Sequence, residues 1–233
     1  MGIRENIGEI IRQKDAYARE VGKTGQDIQL IAVTKTRTPE EILEAISCGI
    51  TDIGENKVQE IQDKYDQINV PVRWHLIGHL QTNKVKYIID KVYLIHSVDS
   101  IRLAREIDKR AGAAGITANI LIQVNAAGEE SKFGVAPAEV PVLLQGILEE
   151  CRHICVKGLM HIAPFAEDTE AVRPYFTAVK ELYDQLSEIR HPRLDFSVLS
   201  MGMSNDYGVA IQEGANAIRV GASIFGERDY SKK

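Results

Sequence analysis

The chain has 233 residues, 44% hydrophobic and 26% charged, the composition of an ordinary globular protein, which excludes intrinsic disorder and collagen-like repeats. Its 28 Lys and Arg against 33 Asp and Glu give a formal net charge of −5, the wrong sign for holding nucleic acid by bulk electrostatics, so no nucleic-acid partner is expected. No apolar run approaches the roughly 20 residues of a membrane helix, the N-terminal stretch is charged throughout without a signal-peptide core, and Cys48, Cys151 and Cys155 make no disulfide framework. A cytoplasmic protein with no membrane partner is expected.

Residues 3–22 carry Ile3, Ile7, Ile10, Ile11, Ala18 and Val21 at helical spacing among charges, which predicts an amphipathic helix lying on a core. Residues 29–34 form a short β-branched apolar run, read as a strand buried on both faces. Thr38-Pro39-Glu40-Glu41 then supplies an N-cap hydroxyl, a proline at the first helical position and a glutamate three residues after the cap, so a helix starts there and stops at Gly49. The same alternation continues with strands at 50–53, 74–77, 92–95, 119–124, 155–160, 195–199 and 217–220. Helices are predicted between them at 57–68, 82–89, 99–110, 137–150, 169–189 and 206–212, with a short turn after the last strand.

Eight βα units with no linker or charge block between them predict an α/β fold, a single-domain (β/α)8 TIM barrel over residues 1–233 with an extra N-terminal helix. An open doubly wound sheet is the alternative, disfavoured because no G-x-G-x-x-G follows the first strand.

In such a barrel, chemistry sits at the C-terminal strand ends. Lys35 follows the first strand and shares a face with Ile31 and Val33 by the period of two. Desolvation lowers a lysine's pKa and frees the amine to attack an aldehyde; a lysine that reaches solvent or pairs with Glu55 fits the position equally. Ser200-Met201-Gly202-Met203-Ser204 after strand seven and Gly221-Ala222-Ser223 after strand eight are small and amide-rich, where this fold commonly cups a phosphate. An aldehyde-reactive amine facing a phosphate cup suggests pyridoxal 5′-phosphate (PLP) as cofactor. Arg219, two residues before Gly221, points into the same mouth as a phosphate partner, an ion-pair member or a donor to a pyridine nitrogen. Asn56 ends strand two and reads either as a contact to the cofactor's phenolic oxygen or as a helix N-cap. His75 and His96 read as satisfied core or rim residues, Cys151 and Cys155 as packing, and Glu129, Glu130 and Lys132 as a solvated loop. The histidines and cysteines show no zinc-like spacing, so no metal is expected.

Ala32-Val33-Thr34-Lys35, Gly54-Glu55-Asn56, Trp74-His75-Leu76-Ile77-Gly78, Leu80-Gln81-Thr82-Asn83-Lys84 and Ile95-His96-Ser97-Val98-Asp99-Ser100 resemble segments of the YggS/PROSC family of pyridoxal phosphate homeostasis proteins. Lys132-Phe133-Gly134, Gly158-Leu159-Met160, Ser200-Met201-Gly202-Met203-Ser204 and Arg219-Val220-Gly221 extend the resemblance over nearly the whole chain. It implies a barrel like the N-terminal domain of alanine racemase, with PLP as a Schiff base on Lys35, Arg219 at the ring, and the phosphate on Ser200 and the amides of Gly221 and Ala222. Many relatives carry Gly-Thr where this chain has Gly221-Ala222, which removes a hydroxyl from the cup unless Ser223 replaces it. The implied role is buffering PLP and delivering it to PLP-dependent apoenzymes, as a monomer. Weak amino-acid racemisation is the alternative, disfavoured because the racemases draw their second base from an additional β domain.

Overall fold

The alternation of apolar runs and capped helices closes, in the computed structural model, into an eight-stranded parallel barrel ordered β1 to β8, with β8 pairing back onto β1. The structure describes residues 2–129 and 132–226. Its strands are β1 Gln29–Val33, β2 Asp52–Glu55, β3 Arg73–Leu76, β4 Leu94–Val98, β5 Ala118–Val124, β6 Ile154–His161, β7 Leu194–Ser200 and β8 Ala217–Val220. The helices are α1 Ile3–Glu20, α2 Pro39–Ser47, α3 Val58–Lys64, α4 Ile101–Ala114, α5 Val140–Glu150, α6 Arg173–Ser187, α7 Tyr207–Gln212 and the single turn α8 Ala222–Phe225.

All eight predicted strands form, with shifted bounds. β2 and β4 each begin two residues later than expected, because Ile50 and Val92 are packed on the core as connecting residues before pairing starts. The segment expected as helix 82–89 is a 3-10 helix, Thr82–Tyr87, and the helix expected over 57–68 is α3 followed by a 3-10 turn at Tyr65–Gln67. Helix α2 starts as read: Thr38 Oγ1 accepts from the Glu41 amide at 3.3 Å while Glu41 Oε2 accepts from the Thr38 amide at 2.8 Å.

Two cores result. Between sheet and helices lies an apolar layer that includes Trp74, Leu76, Ile95, Ile120, Leu159 and Phe176. The inner face holds a small apolar cluster of Leu94, Leu121 and Met160, and beside it a set of fully or nearly fully buried polar residues, Asp52, His75, His96, Ser200 and Arg219. Gly158, at φ 141° on β6, is where the neighbouring strand leaves no room: a β-carbon there would lie 1.9 Å from the Val198 carbonyl oxygen. Helix α1 packs on α7, α8 and α2, outside the βα repeat. Among the described residues no helix is long and apolar enough to cross a membrane.

Candidate functional site

At the C-terminal end of the strands a cavity of about 680 Å³ opens, in the range of small-molecule sites. Lys35, Asn56, Arg219, Gly221 and Ala222, five of the six residues expected at a cofactor, lie on its wall. The sixth, Ser200, does not. β7 runs through Ser200, so its side chain points into the barrel, fully buried, where its Oγ accepts from Arg219 Nη1 at 2.5 Å and meets His96 Nδ1 at 3.1 Å. Ser223 turns away as well, into a separate groove against Gln13 and Tyr17 of α1. The hydroxyl on the cavity wall beside Gly221 is Ser204, whose Oγ accepts from the Gly221 amide at 3.2 Å.

Lys35 follows the end of β1 rather than extending it. It is half-buried in a turn with Thr36 at φ 64°, a left-handed conformation uncommon for a β-branched residue. Three charged side chains hold that turn: Glu60 Oε2 accepts from the Thr36 amide at 2.6 Å, and Lys64 Nζ donates to the Thr34 carbonyl at 3.0 Å, to Glu55 Oε1 at 2.8 Å and to Glu60 Oε2 at 2.9 Å. Glu55 is therefore committed to Lys64 and to the Thr34 hydroxyl, 2.7 Å away. Burial pushes its carboxyl up to about 7 against the opposing pull of Lys64 and Thr34. Asn56 caps nothing; its backbone lies beneath Gly78, where a β-carbon would approach its carbonyl oxygen to 2.3 Å, and the segment brings Asn56 to the wall.

Arg219 is buried at the cavity floor, held by Ser200 on Nη1 and by the His161 carbonyl, 2.9 Å from Nη2. Burial lowers its pKa to about 10, with Asp206 opposing, so the guanidinium stays charged at neutral pH. His161 donates Nδ1–H to the Val124 carbonyl at 2.9 Å, and burial draws its pKa down to about 4, so it is neutral. Gly221 brings the end of β8 against β1: a β-carbon there would sit 3.2 Å from Cβ of Val33. The amides of Ala222 and Ser223 open the α8 turn, where no preceding helical carbonyl can take them.

Charge at the cavity runs against the charge of the chain. Lys35, Arg37, Lys132 and Arg219 face Asp206 as the single carboxylate among the described lining residues, in a protein of formal charge −5. Such a mouth concentrates anions. Its donor set is also chemically mixed: a primary amine, a fixed cation at the floor, and amides with a hydroxyl at one side. These match the aldehyde, ring nitrogen and phosphate of PLP, so the residues present fit the group.

Comparison with known proteins places this geometry. Residues 14–229 match the family described as alanine racemase, N-terminal domain. A pyridoxal phosphate homeostasis protein of Aquifex aeolicus (strain VF5) is 43% identical over 231 residues, 99% of this chain and 100% of its own length. One from Helicobacter pylori (strain ATCC 700392 / 26695) is 39% identical over 223 residues, 95% of each chain. The chain belongs to the pyridoxal phosphate homeostasis protein family. PipY of Synechococcus elongatus PCC7942, solved with PLP bound, superposes at a TM-score of 0.83 with 32% identity, covering 96% of this chain and 100% of PipY.

Several wall residues of this family member were not assigned to the site from the sequence. Lys132, expected in a solvated loop, reaches the mouth with Phe133, whose ring stacks on His79 at 3.8 Å between centroids; Glu130 lies outside the described residues. Lys132 Nζ donates to the Ala163 carbonyl at 3.4 Å and to Glu129 at 3.1 Å. Arg37 is anchored by the Gly226 carbonyl at 2.6 Å and Glu41 at 3.5 Å. Loop residues such as these carry no periodicity, and only closure of the barrel brings them to one mouth.

Proposed function

We propose that this protein binds PLP in the barrel-mouth cavity and acts in PLP homeostasis, buffering the cofactor and passing it to PLP-dependent apoenzymes. The observation that carries the reading is the convergence of Lys35, Asn56, Arg219, Gly221 and Ala222 on one cationic cavity. Lys35 offers the primary amine that would hold the cofactor's aldehyde covalently, with loss of one water. Arg219 presents a charged donor to the ring nitrogen. Because arginine keeps its proton, that nitrogen stays unprotonated and the ring remains a weak electron sink, which suits storage better than turnover. Ser204, oriented by the Gly221 amide, and the amides of Ala222 and Ser223 supply the donors for the phosphate dianion. PLP-bound PipY, similar over its whole length, supports the same occupant here. The three cysteines are free thiols, in keeping with a cytoplasmic protein, and we take the working unit to be the monomer.

The test is an absorbance spectrum of the purified chain loaded with PLP, before and after borohydride, with mass spectrometry of the Lys35 peptide. A visible band that reduction removes, with phosphopyridoxyl mass on Lys35 and neither in Lys35→Ala, is the expected result. A colourless chain that stays unmodified in excess PLP would overturn the reading.

A further inference from the structure

The inner face of a barrel of this kind is ordinarily filled by branched aliphatic side chains. Here a single hydrogen-bonded file of side chains crosses it. At the N-terminal end of the strands Asp52 accepts from Arg73 Nε and Nη2, both 2.7 Å, from Gln29 Nε2 at 2.7 Å and from the Thr51 hydroxyl at 2.7 Å. His75 Nε2 lies 2.8 Å from Asp52, His75 Nδ1 lies 2.9 Å from His96 Nε2, His96 Nδ1 lies 3.1 Å from Ser200 Oγ, and Arg219 Nη1 ends the file 2.5 Å from Ser200. Every member between the ends is fully buried.

The chemistry of these groups fixes the direction of each bond. Asp52 is ionised: burial pushes its carboxyl up, but the hydrogen bonds from His75, Arg73 and Thr51 outweigh this and hold it below the ordinary carboxylate range. A carboxylate only accepts, so His75 donates from Nε2. Burial keeps both imidazoles neutral, and a neutral imidazole has one donor and one acceptor. His75 Nδ1 must therefore accept from His96 Nε2–H, and His96 Nδ1 must accept from the Ser200 hydroxyl. Ser200 Oγ is thereby left as an acceptor toward Arg219, which has only donors. Each bond points from Arg219 to Asp52, and reversing any one of them would set two donors or two acceptors face to face.

Stability does not require this arrangement, since apolar side chains of equal volume are commonly at least as stabilising as a buried polar network. We propose that Asp52, His75, His96 and Ser200 are positioning residues for Arg219, locking the guanidinium plane so that its remaining N–H groups face the cavity. The Ser200 oxygen fixes Nη1 and the His161 carbonyl fixes Nη2, and two anchors in one plane leave a planar group no rotation. For Arg219 to act on a ring nitrogen the proposal rests on the PLP reading above; for the locking itself it does not.

Two measurements decide it on the full chain. Without PLP, nitrogen-15 spectra of histidine- and arginine-labelled protein should show His75 and His96 both protonated at Nε2, and distinct, slowly exchanging Nη signals for Arg219. The tautomers reversed, or Arg219 Nη signals averaged by free rotation, would overturn the proposal. His96→Leu removes both bonds of the central link, Ser200→Ala removes the last link with little change in volume, and His96→Gln keeps a donor toward His75 and an acceptor for Ser200. The Arg219 signals should average in His96→Leu and Ser200→Ala and stay distinct in His96→Gln. With PLP, the first two should release cofactor about tenfold faster and shift the visible band, as loss of one charge-assisted hydrogen bond predicts. If His96→Leu fails to fold, Ser200→Ala against His96→Gln decides the point, and wild-type signals and release in Ser200→Ala would sink it. A chain that takes no PLP on Lys35 defeats the cofactor reading alone, because the guanidinium spectra still judge the lock.

Discussion

Ser200, the last residue of β7, and Ser204, four residues further on, both carry hydroxyls, yet they face different chemistry. Ser204 stands on the cavity wall beside the Gly221 amide, whereas Ser200 lies beneath it against Arg219. The two substitutions should therefore separate by ligand. Ser204→Ala is expected to weaken PLP about tenfold and leave pyridoxal, which lacks the phosphate, unchanged, the scale of one charge-assisted hydrogen bond. Ser200→Ala should weaken PLP and pyridoxal alike. Titration of both variants with both ligands checks this, and equal losses of PLP and pyridoxal in Ser204→Ala would remove it from the phosphate cup. The pair also marks how far the site was legible. That Lys35, Asn56, Arg219, Gly221 and Ala222 would meet at one mouth was readable because a barrel fixes which residues end its strands. Ser200, expected beside them, lies beneath the wall because side-chain direction alternates residue by residue, and β7 extends one residue further than its apolar run suggests. The file through His75 and His96 was legible only as two lone histidines, since its links join β2, β3, β4, β7 and β8 across the barrel.

Among the elements, strand order and number followed from the apolar rhythm, while boundaries did not, because buried residues such as Ile50 precede the pairing they resemble. Capping chemistry was the more exact guide. Thr38→Ala removes the hydroxyl that accepts from the Glu41 amide, and should lower the unfolding free energy by about 1 kcal/mol in urea denaturation without changing the PLP spectrum. Gly158 makes a harsher demand. Its positive φ and the closeness of the Val198 carbonyl coincide with a register shift between β6 and β7, so a β-carbon strains the backbone and forces the two strands apart at once. Gly158→Ala is expected to destabilise by at least about 3 kcal/mol, beyond the ordinary effect of a point substitution. Denaturant midpoints within error of wild type would show that the strands can part cheaply.

For the molecule as a whole, the polar barrel interior sets the response to acid. His75, His96 and His161 are held neutral below their ordinary pKa, chiefly by burial, and His161 reaches about 4. Below pH about 6.5 the unfolded chain binds protons at these three sites that the folded chain refuses, so each contributes stability present above 6.5 and lost as pH falls. Glu55 works in the opposite sense. With its carboxyl raised to about 7, the folded chain holds a proton there that the unfolded chain releases, which favours the fold as pH drops toward 4.5. Asp99 and Asp206, also raised by burial, act in the same direction lower in the range. Asp52, held low, keeps its contribution until the pH falls beneath the ordinary carboxylate value. Between pH 6 and 5, the three imidazoles outweigh the one carboxyl, so the unfolded chain takes up more protons and stability is lost as pH falls, at about 1.4 kcal/mol per pH unit for each net proton. Urea unfolding at pH 7.5, 6 and 5 measures that slope. His96→Gln carries no imidazole at the centre of the file and should show a slope shallower by about one proton, about 1.4 kcal/mol per pH unit. Stability that stays level from pH 7 to 5, in wild type and His96→Gln alike, would mean that the buried imidazoles are already charged in the native protein.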